Sequence, residues 1–151
     1  MMGLVLKVDS PEFLDAIHNL IHDCFFDVER ISFDAEAGVL LIPFSYEQTV
    51  LVPAEDLHAG HRGLRATVAR WFRFLRPARR TQVRLVPAIL RIENVSDYSL
   101  VDTEHVGLYP FNILVFDPSS QVITVLTDIP LRFSIRVKGF AITVEIGSDQ
   151  S

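Results

Sequence analysis

Nine arginines fall between Leu57 and Ile92, at Arg62, Arg65, Arg70, Arg73, Arg76, Arg79, Arg80, Arg84 and Arg91, and no aspartate or glutamate falls among them. A guanidinium group is a planar, permanently charged fork that grips carboxylate or phosphate through paired hydrogen bonds. The chemistry such a block offers is recognition of an anion. Trp71, Phe72 and Phe74 interleave with the arginines, and aromatic faces among cations suit stacked bases. The remainder of the chain sets five bases against nineteen acids, so a stretch of +9 lies in surroundings of −14 and the net charge of −5 conceals the split. Charge segregation of this kind creates a local field that steers partners. An isoelectric point near 5.4 weighs against a dedicated nucleic-acid domain, which is usually basic throughout. Four uses of the block stand open: pairing with the acidic remainder, within one chain or across a homo-oligomer; an acidic protein partner; nucleic acid; or a small anion. The candidate partner-binding residues are Arg62, Arg65, Arg70, Arg73, Arg76, Arg79, Arg80 and Trp71.

Other reactive side chains form thinner patterns. His18 and His22 stand four apart in an expected helix, a spacing that places two imidazoles on one metal ion. A closed zinc site needs four ligands, and both histidines are expected on the polar side of that helix. His58 and His61, with Glu55 and Asp56 beside them, lie in an expected loop and are a weaker pair. Cys24 follows His22 closely, but a nucleophile and its base assemble in space and not by adjacency. Its neighbours Phe25 and Phe26 argue for a buried structural thiol. Glu55-Asp56 and Asp102-x-Glu104 read as polar linkers, and Tyr109-Pro110-Phe111 as a rigid structural corner. No Gly-x-Gly-x-x-Gly, Walker or Gly-x-Ser-x-Gly pattern occurs in the chain. No cofactor and no catalytic residue is expected, and the chain reads as non-enzymatic.

The elements that must position these residues are mostly strands. At 151 residues, 49% hydrophobic and 22% charged, the chain has the size and composition of one globular domain, expected over 1–147 with a disordered tail at 148–151. Leu4 to Val8 reads as a strand. Ser10-Pro11-Glu12 opens a helix to about His22: serine can cap, proline has its φ preset, and glutamate suits the positive end of the dipole. Phe13, Ile17, Leu20 and Ile21 recur at helical spacing, with Leu14 beside them. Val28–Phe33 and Val39–Phe44 read as a hairpin closed by Asp34-Ala35-Glu36-Ala37-Gly38, where Gly38 can take the left-handed conformation. Pro43 marks an edge or an end. Residues 53–65 read as a loop, and 63–75 as helix or strand with equal support. Arg79-Arg80 read as a turn, and Val83–Val86 and Ala88–Val95 as strands. Phe111–Phe116 and Gln121–Thr127 form a second hairpin around Asp117-Pro118-Ser119-Ser120. Leu131–Val137 and Phe140–Ile146 alternate strictly, and a Lys138-Gly139 turn would set Val137 against Phe140, Ile135 against Ile142 and Arg132 against Glu145. The two Asp-centred hairpins share Phe, Asp and Val at equal spacing, through duplication or through common hairpin chemistry. Eleven phenylalanines against three tyrosines suggest a core that keeps hydroxyls out.

The run Leu20-Ile21-His22-Asp23-Cys24-Phe25-Phe26-Asp27-Val28, joining helix to strand ahead of an Asp-centred hairpin, resembles a layout in small uncharacterised bacterial domains, some grouped with toxin immunity proteins. Gly107-Leu108-Tyr109-Pro110-Phe111-Asn112 is similar to the second half of such domains. The resemblance covers about the first 45 residues and implies a bacterial, immunity-type protein with no defined catalytic residue. The lone Cys24 excludes an intrachain disulfide and favours a reducing compartment. The opening lacks the basic region of a signal peptide, and no run approaches the roughly 18 apolar residues of a spanning helix. A cytoplasmic location follows as the expectation. The expected fold is α+β and β-rich: an antiparallel sheet curled into a barrel or sandwich with the N-terminal helix packed on it. The expected function is an interaction module whose arginine-rich middle contacts an acidic protein or a second copy. Immunity-type, nucleic-acid-binding and metal-dependent enzymatic roles, the last through His18 and His22, are the alternatives.

Overall fold

Strand β1 (Leu4–Val8) opens the chain in the computed structural model, which describes residues 3–53 and 79–147. Pro11–Phe13 form a 3-10 turn and α1 spans Leu14–Ile21. Ser10 does not cap as expected; its hydroxyl donates to Glu12 Oε1 at 3.3 Å instead. Because Phe13 belongs to the 3-10 turn, it leaves the helical phase and is exposed, and the buried stripe is Leu14, Ile17 and Ile21. That stripe packs α1 on β7 (Leu108–Asp117) and β1. Each such side chain contributes about 1.5–3 kcal/mol on burial.

The expected strand over Val28–Phe33 is divided. β2 (Phe25–Asp27) and β3 (Ser32–Asp34) are separated by a 3-10 turn at Val28–Arg30. Asp27 causes the break: its carboxylate accepts the Glu29 N–H at 2.9 Å and draws the backbone out of the ladder. β4 (Val39–Pro53) runs on through Pro43. It pairs β3 over Val39–Leu41 and β2 over Phe44–Ser45, so Pro43 falls in the interval between two pairings. A residue without an N–H suits that interval. β5 (Arg79–Ile92) merges the two short strands expected there and includes Arg79-Arg80, which are strand and not turn. β6 (Val95–Val101), an edge strand with a register shift near its start, had no counterpart in the sequence reading beyond Val95.

β7 and β8 (Val122–Thr127) form the expected second hairpin. Its turn matches the first closely. Asp34 and Asp117 each accept a side-chain hydrogen bond from the amide two residues on, at 3.1 and 2.9 Å. Gly38 (φ 67°) and Gln121 (φ 56°) are left-handed, and each returns its N–H to the aspartate carbonyl at 2.8 Å. The carbonyls of Gly38 and Gln121 then accept from Val95 and Val137, at 2.8 and 2.9 Å, and these two valines pair in register.

The Lys138-Gly139 hairpin is not formed. β9 (Arg132–Val137) lies between β8 and β6, whereas β10 (Ile142–Ile146) lies between β1 and β5. Arg132 faces Val101, and Glu145 faces Val5 and Ile89. Strict alternation specifies which face is buried but leaves the neighbour open. Here Lys138 donates its N–H to Asn94 and Glu93 donates to Ala141, at 2.7 and 3.0 Å, which draws the connection away from a tight turn.

Among the described residues the strand order is β1-β10-β5-β4-β2-β7-β8-β9-β6, with β3 beside β4, and the pairs β1–β10, β10–β5, β2–β4, β2–β7, β3–β4, β6–β9, β7–β8 and β8–β9 are antiparallel. No pairing joins β1 to β6, so the sheet is open and the barrel alternative is set aside. The chain divides into two compact units, one of Met1–Tyr46 with Leu85–Ser151 and one of Glu47–Arg84. In the first, Phe26 stacks on Phe111 with centroids 4.4 Å apart, and Phe44 meets Phe111 edge-on at 5.6 Å. Ile42, Leu90, Ile123, Ile135 and Val144 surround that cluster, all fully buried. Contrary to the expectation of a hydroxyl-free core, Tyr109 is also fully buried. The second unit contains Glu47–Pro53 of β4 and Arg79–Arg84 of β5. The tail at 148–151 lies outside the described residues.

Candidate interaction site

Arg62, Arg65, Arg70, Trp71, Arg73 and Arg76 lie outside the described residues, as do His58, His61, Glu55 and Asp56. Arg79 and Arg80 begin β5. Arg84 belongs to the second unit and Arg91 to the first, so the block is not confined to one unit. Arg91 is opposite Thr143 of β10, on the outward face, and its Nε lies 3.3 Å from Glu93 Oε1. That local ion pair commits the last arginine to an acid within two residues.

The acids are distributed just as unevenly. From Asp9 to Glu36 there are eight, Asp9, Glu12, Asp15, Asp23, Asp27, Glu29, Asp34 and Glu36, against the single base Arg30. Several are turned to their own backbone: Asp27 to Glu29, Asp34 to Glu36 and Ala37. Beside them among the described residues are two histidines, His18 near Asp15 at 3.6 Å and His22 near Asp23 at 3.1 Å. None of the eight meets a lysine or arginine among the described residues. The sequence signal for this was available in the charge strings, but only the positive run was conspicuous.

His18 is not on the solvated side where periodicity placed it. Its Nε2 lies 3.0 Å from both the N–H and the C=O of Leu114 on β7. With the proton on Nδ1 the ring accepts from the amide; with the proton on Nε2 it donates to the carbonyl. β2 accompanies β7 only from Leu108 to Pro110, with Asp23 and Cys24 adding two hydrogen bonds at Phe111. The imidazole thus takes over where the neighbouring strand stops, as a surrogate for strand backbone. His22 ends the helix, more than half exposed, with its N–H on the His18 carbonyl. Among the described residues no cluster of three metal-ligating side chains exists. Cys24 is buried and its thiol lies 3.6 Å from the Leu20 carbonyl, as a structural thiol would.

Asp102 was read as linker and proves to be a latch. One carboxylate oxygen accepts from the buried Tyr109 hydroxyl and the other from the Gly107 N–H at 3.2 Å. The Tyr109 hydrogen bond is the main cause holding the Asp102 carboxyl below the ordinary aspartate range. Burial, and then the Asp102 bond, push the Tyr109 hydroxyl above the usual phenol range. The pair closes the loop from Asp102 to Gly107, in which His105 and Gly107 are left-handed. The two hydrogen bonds on Asp102 thus position the loop. Compared with known proteins, the chain matches no family model, no curated protein and no solved structure.

Proposed function

We propose that the chain is a non-enzymatic interaction module that uses its arginine-rich middle to contact an acidic protein or a second copy of itself. The observation that carries this reading is the division of charge. Nine arginines gather in one stretch, while the acids from Asp9 to Glu36 make no lysine or arginine ion pair among the described residues. Oppositely charged surfaces raise association rates and select partners more than they add affinity. The lone, buried Cys24 fits a reducing compartment such as the cytoplasm. No helix among the described residues is long and apolar enough to cross a membrane.

Titration with poly-glutamate tests the reading. Wild-type protein binds at low salt and releases at about 500 mM, where exposed pairs are strongly screened, and Arg70→Glu/Arg73→Glu/Arg76→Glu abolishes binding. Equal binding by wild type and triple variant would refute it. Nucleic acid is the second reading, favoured by Trp71, Phe72 and Phe74 between the arginines. It predicts a log-linear fall of affinity with salt for an oligonucleotide, and a gel shift without retardation at low salt disposes of it. The immunity-type role is a special case of the first reading, in which the partner is a toxin.

A further inference from the structure

The larger unit carries an exposed apolar face within an acidic rim. Phe26 and Tyr109 point into the core, so strand alternation turns their neighbours Phe25 and Leu108 outward. In register Phe25 stands between Pro110 and Ser45, and Asp27 faces Leu108. The Val28 N–H donates to the Gly107 carbonyl at 2.9 Å, which fastens the Asp102–Gly107 loop beside the end of β2. This brings Val106 toward the same edge. Phe25, Val106 and Leu108 are 44%, 45% and 50% exposed. Asp23, Asp27, Glu29 and Glu104 lie beside them in sequence or register, with Arg30 the single base close by. Among the described residues Asp23 lies 3.1 Å from the His22 ring, and none of the four carboxylates makes an ion pair with a lysine or arginine. Aromatic and branched side chains clustered in the open, with carboxylates around them, have the anatomy of an interface: an apolar centre and a charged rim.

The occupant that fits such a face is apolar, aromatic and cationic at once. The chain itself holds that composition in Arg70-Trp71-Phe72-Arg73-Phe74-Leu75-Arg76. We propose that a second copy of the protein docks its 70–76 stretch on this face, aromatic groups over Phe25, Val106 and Leu108 and guanidinium groups against Asp23, Asp27, Glu29 and Glu104. The inference rests on the reading of the arginine-rich middle as a contact segment, and it names both the partner and the receiving surface. Like charges oppose the alternatives: acidic face on acidic face, or arginine segment on arginine segment, is repulsive. The contact is therefore between unlike surfaces, and a dimer is the smallest assembly that makes it.

The test is complementation. A face variant, Phe25→Ser/Glu29→Lys/Glu104→Lys, and a segment variant, Arg70→Glu/Arg73→Glu/Arg76→Glu, are compared with wild type by light scattering at low salt and equal concentration. Wild type is expected at twice the 17.1 kDa chain mass, each variant alone at the monomer mass, and their equimolar mixture above it, because one intact segment then meets one intact face. A second face variant, Val106→Ser/Leu108→Ser, repeats the experiment should the first lose its circular dichroism signature. A monomeric wild type, a face variant that still dimerises, or a mixture that stays monomeric overturns the docking proposal. Poly-glutamate binding separates the two ideas: if it survives in the face variant and is lost in the segment variant while dimerisation fails these tests, the docking surface is wrong and the contact segment stands.

Discussion

Replacing His18 by alanine removes the one side chain among the described residues that is bonded to the Leu114 main chain. Leu114 is 2% exposed, so its amide has little access to water once the ring is gone. A protein hydrogen bond contributes about 0.5–1.5 kcal/mol net, and a buried donor left without a partner costs about 1–3 kcal/mol. His18 is itself one-fifth exposed, so water can enter the vacated space and the loss falls near the middle of that range, about 2 kcal/mol. For a chain of this length a loss of 1 kcal/mol lowers the melting temperature by about 2–4 °C. His18→Ala is therefore expected to melt about 4–8 °C below wild type, with a lower urea midpoint and an unchanged urea slope. His18→Gln keeps a group able to accept from the amide or donate to the carbonyl and is expected to recover most of the loss. Excess zinc is expected to leave the wild-type melting temperature unchanged, because the ring is already occupied. An alanine variant as stable as wild type, or a zinc-dependent rise that disappears in His18→Ala, would refute the surrogate-strand assignment.

Three further outcomes follow from the fold. Gly38→Ala forces an L side chain to φ 67° and brings a Cβ within 3.2 Å of the Val95 carbonyl; left-handed strain of about 1–2 kcal/mol should lower the urea midpoint, and a neutral effect would contradict the turn geometry. Gly107→Ala meets nothing within 4 Å, so it should cost less than Gly38→Ala in the same titration, by about the steric part of the Gly38 penalty. The Asp102–Tyr109 latch has two pH limits: a lowered Asp102 value contributes stability above the unfolded aspartate value, about 3.9, and loses it as acid protonates the folded carboxyl, while a raised Tyr109 value contributes below about 10 and loses it as base ionises the phenol. The melting gap between wild type and Tyr109→Phe should thus be constant through neutral pH and narrow toward both extremes; a gap that neither acid nor base narrows would contradict the hydrogen bond.

The legible parts of the chain were those set by local chemistry. Asp34, Gly38, Asp117 and Pro118 dictated two turns, and strands flank both, although β7 begins at Leu108 and not Phe111, β4 runs on to Pro53, and the strand expected over Val28–Phe33 is divided. Alternation in Arg132–Val137 and Ile142–Ile146 identified both strands, yet misassigned their neighbours. A period of two encodes a buried face, and Ile135 is equally satisfied by Tyr98 and Ile123 as by Ile142. Asp27 interrupted a strand through a side-chain bond that propensity does not record, and Phe13 left the helical stripe because the first turn is 3-10. The positive half of the candidate site was plain in the sequence. The receiving half was not, because Phe25 is remote along the chain from Glu104, Val106 and Leu108 and is brought to them only through the β2–β7 register and the Val28–Gly107 hydrogen bond.

The central claim is that the arginine-rich stretch is a contact surface. The direct measurement is solution mass and poly-glutamate affinity of wild type across a salt series from about 50 to about 500 mM, beside Arg70→Glu/Arg73→Glu/Arg76→Glu. The account predicts that wild type binds at the low end and lets go at the high end, and that the triple variant binds at neither. A wild type that ignores salt, binds no polyanion and runs as a monomer throughout would contradict it.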